Sequence, residues 1–147
     1  MRFMILVKGD ANTEAGVMPT AQELSDMHKF NQELVRAGMM LAGEGLHPTS
    51  RAKRVRFAGK GKPTVIDGPF TETKEIIAGY WLIQAKSMDE AVEWMKRAPF
   101  DGSEIEIRQV FEAADFGDLQ DQVPEVFEEE RVWREGGTSD AQRSDAR

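Results

Sequence analysis

The chain has 147 residues, 40% of them hydrophobic and 31% charged, which suits one domain with a real core and is small for two. It carries no cysteine, which excludes a disulfide framework, a thiolate nucleophile and a cysteine-based zinc site. The net charge of −7 argues against a general nucleic-acid binder, which needs a basic face to displace counterions.

Taken in order, residues 1–8 are rich in Phe, Ile, Leu and Val and read as a central strand; the run is too short for a signal-peptide core. Residues 9–16 read as a loop. Pro19-Thr20 announces a helix with Glu23 in its first turn, and Leu24, Met27, Asn31, Leu34 and Val35 fall at helical spacing beside Phe30. Gly38 is expected to end it as a left-handed cap. Residues 39–42 form a second strand, bent by Gly43-Glu44-Gly45-Leu46 and closed by His47-Pro48. Residues 52–57 alternate small or apolar residues with basic ones, as a half-exposed strand does; residues 59–63 make a hairpin loop and 64–67 the returning strand. Residues 76–85 give the strongest strand signal, with Gly79 marking a bulge or a close backbone approach. Ser87 caps a helix with Glu90 as capping-box partner; the helix carries Ala91, Val92, Trp94, Met95 and Ala98 and stops at Pro99. Residues 104–111 alternate cleanly, as an antiparallel strand with one wet face. Beyond 113, Phe116, Leu119, Val123, Val126, Phe127 and Trp133 are scattered among acidic residues, which predicts an extension with one helix over about 124–134. From residue 136 the composition is polar, small and charged and reads as disordered. No apolar run approaches the roughly 18 to 20 residues that span a bilayer, so no membrane partner is expected, and for a chain without cysteine a cytoplasmic setting is the default expectation.

This order predicts an α+β, ferredoxin-like βαββαβ domain over residues 1–112 with an inserted β-hairpin, then an extension over 113–135 and a tail over 136–147. Two helices on one face of an antiparallel sheet leave the other face in need of cover, and a second copy of the chain would supply it.

The stretch Val65-Ile66-Asp67-Gly68-Pro69-Phe70-Thr71-Glu72-Thr73-Lys74-Glu75 joins a strand end, a turn, an aromatic residue and four ionisable groups. Asp67-Gly68-Pro69 alone is turn chemistry. Followed by Phe70, Glu72, Lys74 and Glu75, it resembles the signature of the DGPF family, part of the YCII-related superfamily of small dimeric proteins. Gly43-Glu44-Gly45-Leu46-His47-Pro48, Val55-Arg56, Gly79-Tyr80 and Glu90-Ala91-Val92-Glu93-Trp94 carry the same resemblance. It implies a dimeric α/β barrel. Because the family is often encoded beside extracytoplasmic-function sigma factors, it also implies an alternative to catalysis, a regulatory or signalling module. Relatives of this fold include lyases, isomerases and cofactor-free oxygenases. In the wider superfamily a histidine of the first helix pairs with an aspartate. His28 stands about one residue from that place, roughly 100° around a helix, so the dyad is not carried over.

Asp67 is the first candidate for chemistry: a carboxylate at a strand end, held by Gly and Pro, can act as a general base or bind a cation, or it can simply make the turn. His47 is the second catalytic candidate, at a strand end; a packing histidine is the plainer reading. Arg56 and Lys74 can hold an anionic group, Glu72 or Glu75 can move a proton, and Phe70 can wall a cleft or plug the core. The basic run Arg51, Lys53, Arg54, Arg56, Lys60 and Lys62 is either a solvated face or an anion-attracting rim. Gly59-Lys60-Gly61-Lys62 leads into proline and a strand, so it is not a phosphate-binding loop. No metal ligand set and no cofactor are expected. The function expected is that of a small cofactor-independent enzyme or small-molecule binder, with a cleft near the Asp67 turn and a small anionic or aromatic ligand.

Overall fold

Along the first strand, β1 (Arg2–Lys8), Phe3 and Ile5 are fully buried while Met4 and Leu6 are half-buried, and this alternation sets the two faces of the sheet. The computed structural model describes residues 1–59 and 61–136. The backbone divides into two units, Met1–Val110 and Phe111–Arg147.

The first unit contains β1, a one-turn helix α1 (Ala11–Glu14), α2 (Ala21–Arg36), β2 (Met40–Gly45), β3 (Lys53–Arg56), β4 (Thr64–Asp67), β5 (Ile77–Gln84), α3 (Met88–Met95) and β6 (Ile105–Gln109). Short 3-10 turns cover Thr49–Arg51 and Thr73–Glu75. Four strands form one sheet in the order β2-β5-β1-β6, and every neighbouring pair is antiparallel. β3 and β4 pair separately as a hairpin. This is the expected βαββαβ plan with its inserted hairpin, and the sheet of one chain is open rather than closed into a barrel.

Helix α2 is bounded as its sequence requires. Thr20 Oγ1 accepts the Glu23 N–H at 3.1 Å and Glu23 Oε2 accepts the Thr20 N–H at 2.8 Å, a complete capping box. At its end Gly38 takes φ +71°, with its own N–H on the Val35 carbonyl and the Met39 N–H on that of Leu34. Helix α3 departs from expectation in two respects. Ser87 Oγ accepts the Glu90 N–H at 3.1 Å, but the Glu90 carboxylate turns back to the Lys86 N–H at 2.5 Å, so only one arm of the box forms. The helix also ends at Met95, and 3-10-type bonds from Arg97 to Trp94 and from Ala98 to Met95 carry the chain towards Pro99. Residues 9–16, expected as loop, contain α1. Asp10 Oδ1 accepts the Thr13 N–H and Thr13 Oγ1 accepts the Asp10 N–H, each at 2.8 Å, which closes a single turn with no apolar periodicity to announce it.

Helices α2 and α3 both lie on the Phe3–Ile5 face. Phe30 and Leu34 of α2, Ala91 and Met95 of α3, and Trp81 and Ile83 of β5 complete the core with Met39 and Ala85. Each large side chain buried this way contributes about 1.5–3 kcal/mol. Trp81 is the hub. Phe30 and Phe100 meet its ring edge-on at 5.8 and 5.9 Å, and its Nε1–H donates to Asn31 Oδ1 at 2.9 Å. Asn31, the polar residue on the apolar stripe of α2, therefore satisfies the one polar atom that the indole brings inside. At Gly79 a Cβ would stand 2.9 Å from the Glu44 carbonyl oxygen, so the expected close backbone approach is present between β5 and β2.

The second unit has a 3-10 turn (Ala113–Phe116), a one-turn helix α4 (Leu119–Gln122) and α5 (Pro124–Gly136). Phe116 touches Phe111 and Phe127, ring centroids 5.4 Å apart in each pair. Along α5, Arg131 bonds Glu128 and Glu135 while Arg134 bonds Glu130. Gly136 closes α5, and the rest of the tail expected to be disordered, residues 137–147, lies outside the described residues.

Candidate functional site

The signature turn is built by its neighbours. β4 ends at Asp67, and the chain then passes through Gly68–Pro69, joined by a cis peptide bond. The Gly68 N–H donates to the Ala52 carbonyl at 2.9 Å. Its Cα lies so close to the backbone that a Cβ would stand 1.7 Å from the Thr49 carbonyl oxygen, and only glycine fits there. The Phe70 N–H donates to Thr49 Oγ1 at 2.9 Å. Thr49 is held in turn by Glu14, whose carboxylate accepts the Thr49 N–H at 3.1 Å and the Thr49 hydroxyl at 2.5 Å.

This seating places the Phe70 ring beneath the Arg54 guanidinium, whose central carbon is 3.7 Å from the ring centroid. Beside the pair is an open cleft of about 350 Å³, lined by Arg54, Pro69, Phe70, Thr71, Glu72 and Glu75. That is the lower end of the range that holds small ligands. Arg54 makes no ion pair among the described residues, and neither do Glu72 and Glu75. The cleft therefore offers a guanidinium with free N–H donors and two carboxylates with free acceptors, against an aromatic wall.

Of the residues expected from sequence, Phe70 and Glu75 line the cleft together with Glu72. Asp67 does not. It pairs across the hairpin with Lys53, which puts both on the opposite hairpin face from Arg54, and its carboxylate takes the Lys53 ammonium at 2.7 Å with three-quarters of its side chain exposed. Arg56 shares the Arg54 face one step along β3, opposite Thr64, and is exposed outside the lining. Lys74 is exposed in the 3-10 turn between Glu72 and Ile76. His47 is exposed, with a ring nitrogen 3.2 Å from Arg51 Nη1. His28 is exposed on α2, as its one-residue offset suggests. No group of three or more His, Asp or Glu able to hold a metal occurs among the described residues, and none of their helices is long and apolar enough to cross a membrane.

Nothing in the sequence marks Thr49 or Glu14, and Arg54 stands out only as one member of the basic run. A signal existed for Arg54: it lies in the basic run that reads as a solvated face or an anion-attracting rim, and the alternation of residues 52–57 puts it on one face with Arg56. For Glu14 and Thr49, 35 residues apart, no local pattern exists.

A family model described as YCII-related domain matches residues 1–114. An uncharacterised protein of Rhizobium meliloti (strain 1021) is 36% identical over 98 residues, which cover 65% of this chain and 78% of the relative. Among solved structures, the 5-chloro-2-hydroxyhydroquinone dehydrochlorinase of Burkholderia phenoliruptrix AC1100, in complex with 2,5-dihydroxybenzoquinone, is similar with a TM-score of 0.41 at 12% identity, over 78% of this chain and 98% of that one. The family match takes in all four strands of the sheet, helices α2 and α3 and the signature cleft, and the chain belongs to the YCII-related family.

Proposed function

We propose that this chain is a cytoplasmic small-molecule binder, or a small enzyme with no organic cofactor, that takes an anionic ligand into the cleft at the signature turn. The observation that carries the reading is the Arg54 guanidinium, stacked on Phe70 and unpaired among the described residues, in a cleft that also presents Glu72 and Glu75. A planar guanidinium with free donors suits a carboxylate or phosphate, and the aromatic wall suits the ligand's apolar part. In the enzymatic form of the reading Glu75 or Glu72 accepts the proton. Asp67 enters only after its Lys53 partner gives way, and Arg56, on the Arg54 face of β3, and Lys74, next to Glu75, supply further positive charge. His47, held near Arg51, has the weakest claim to a part in it.

The working unit in this reading is a homodimer. Met4 and Leu6 of β1 stand opposite Leu82 and Tyr80 of β5, all half-buried, on the sheet face that neither α2 nor α3 covers. A second copy packed there would close the two sheets into a barrel. Light scattering should give twice the mass of one chain, and a monomer at every concentration would remove this part of the reading.

Thermal shift tests the cleft. Benzoate, malonate and inorganic phosphate are titrated against the wild type, Arg54→Ala and Asp67→Asn. A probe at about 100 times its Kd stabilises the folded state by about 2.7 kcal/mol. The reading expects a rise in Tm for the wild type and for Asp67→Asn, and none for Arg54→Ala. Equal shifts in wild type and Arg54→Ala, or no shift with any anion, would sink it.

A further inference from the structure

We infer that Glu14, which neither lines the cleft nor belongs to the signature, is the positioning residue that sets the Phe70–Arg54 pair. The inference rests on the cleft reading above for its functional meaning.

A carboxylate only accepts, so the two bonds between Glu14 and Thr49 must both be donated by Thr49, one from its N–H and one from its hydroxyl. With its single proton committed to Glu14, Thr49 Oγ1 is left as an acceptor, and it receives the Phe70 N–H at 2.9 Å. The charge on Glu14 thus fixes the polarity of the whole relay and strengthens its first link. All three groups are partly buried, where such a bond is screened less than on the surface. The relay ends on the backbone of the residue whose ring carries Arg54.

The same segment, Gly9 to the end of α1, grips the other end of the cleft-lining segment. The Gly9 N–H donates to the Ile76 carbonyl at 2.8 Å, directly after Glu75. The turn between these two grips is closed by the paired bonds of Asp10 and Thr13. Residues 9–14 therefore brace residues 70–76 at both ends, and Glu14 is the one ionised member of the brace whose side chain reaches across.

Hydrogen exchange at single amides tests this without any ligand. In Thr49→Val the Phe70 amide should exchange about tenfold faster or more, and Thr49→Ser should restore its protection. In Glu14→Gln one amide oxygen replaces two carboxylate acceptors, so the Thr49 and Phe70 amides should both exchange faster while those of β1 keep their protection. Benzoate should then shift the Tm of Glu14→Gln less than that of the wild type. Unchanged exchange at Phe70 in Glu14→Gln would overturn the inference. So would an equal loss across β1, which would make Glu14 a general stabiliser. Failure of the cleft reading shows up separately, as absence of any anion shift in the wild type while the exchange pattern holds.

Discussion

Gly68 and Thr49 touch backbone to backbone: a Cβ on Gly68 would stand 1.7 Å from the Thr49 carbonyl oxygen and 3.2 Å from that of Ala52. The glycine of the signature is thus required by the 3-10 turn it rests on, in addition to any preference of the turn it belongs to. Gly68→Ala should cost about 1–3 kcal/mol, the usual range for forcing an extra group into a packed site. Urea denaturation would show it as a lower midpoint, or as selective loss of Phe70 amide protection if the hairpin detaches first. Gly45→Ala, with nothing within 4 Å of the new Cβ, should stay within about 0.5 kcal/mol of the wild type.

Trp81 and Asn31 make a second pairing with a measurable cost. Trp81 is 5% exposed and sits between Phe30 and Phe100. Trp81→Ala should destabilise by about 3–5 kcal/mol. Asn31→Ala should cost about 1–3 kcal/mol, because it leaves the indole N–H buried without an acceptor. Denaturant midpoints of the two variants, and of the double variant, would show whether the costs overlap, as they should for two partners in one bond.

The Asp67–Lys53 pair predicts the reverse. Both side chains are mostly exposed, and exposed pairs contribute little. Lys53→Met should change stability by less than about 1 kcal/mol, and adding salt should not alter the difference by more than that. A larger loss on thermal or urea unfolding would mean that Asp67 does more than hold its neighbour across the hairpin.

In α5 the Arg131 hydrogen bond, and then its charge, hold the Glu128 carboxyl below its ordinary value, while the same contacts raise Arg131. A depressed carboxylate favours the folded state above its unfolded pKa, and that contribution is lost as pH falls through the folded value. Helical signal from the second unit should therefore decline on acidification through and below the ordinary glutamate range. The decline should be weaker in Arg131→Gln and at high salt, because both groups are on the surface. Helicity of α5 measured by NMR chemical shifts against pH checks this; an identical profile in Arg131→Gln would refute it.

The sheet and helices α2 and α3 were legible because their signals are local: period two in residues 104–111, helical spacing from Leu24 to Val35, caps at Thr20 and Ser87. α1 was not legible, since a four-residue helix has no period to detect. The cleft was legible in part. Phe70 and Glu75 follow from their place beside the turn, but Asp67 was expected to share their surroundings and instead faces Lys53. Residues 53 and 67 stand opposite each other in the hairpin, so Asp67 falls on the same side as Lys53 and on the other side from Arg54. That parity depends on hairpin register, which the loop over residues 59–63 leaves open in the sequence. Glu14 and Thr49 meet only in the folded chain, and no residue spacing could announce them.

The position of β1 has a consequence for how the protein is made. Among the described residues β1 pairs with β5 and β6 alone, and β2 with β5 alone, so both wait for residues beyond Ile76. While the ribosome is still adding the first half of the chain, the apolar strand that carries Phe3 and Ile5 has no ladder to join, and the β3–β4 hairpin is the one piece of sheet that contiguous sequence can form. Sheet closure is a late, long-range event, of the kind that slows folding and exposes apolar strands to other chains. A chain stopped before β5 would hold the signature turn and its hairpin and still have no sheet on which to build a core.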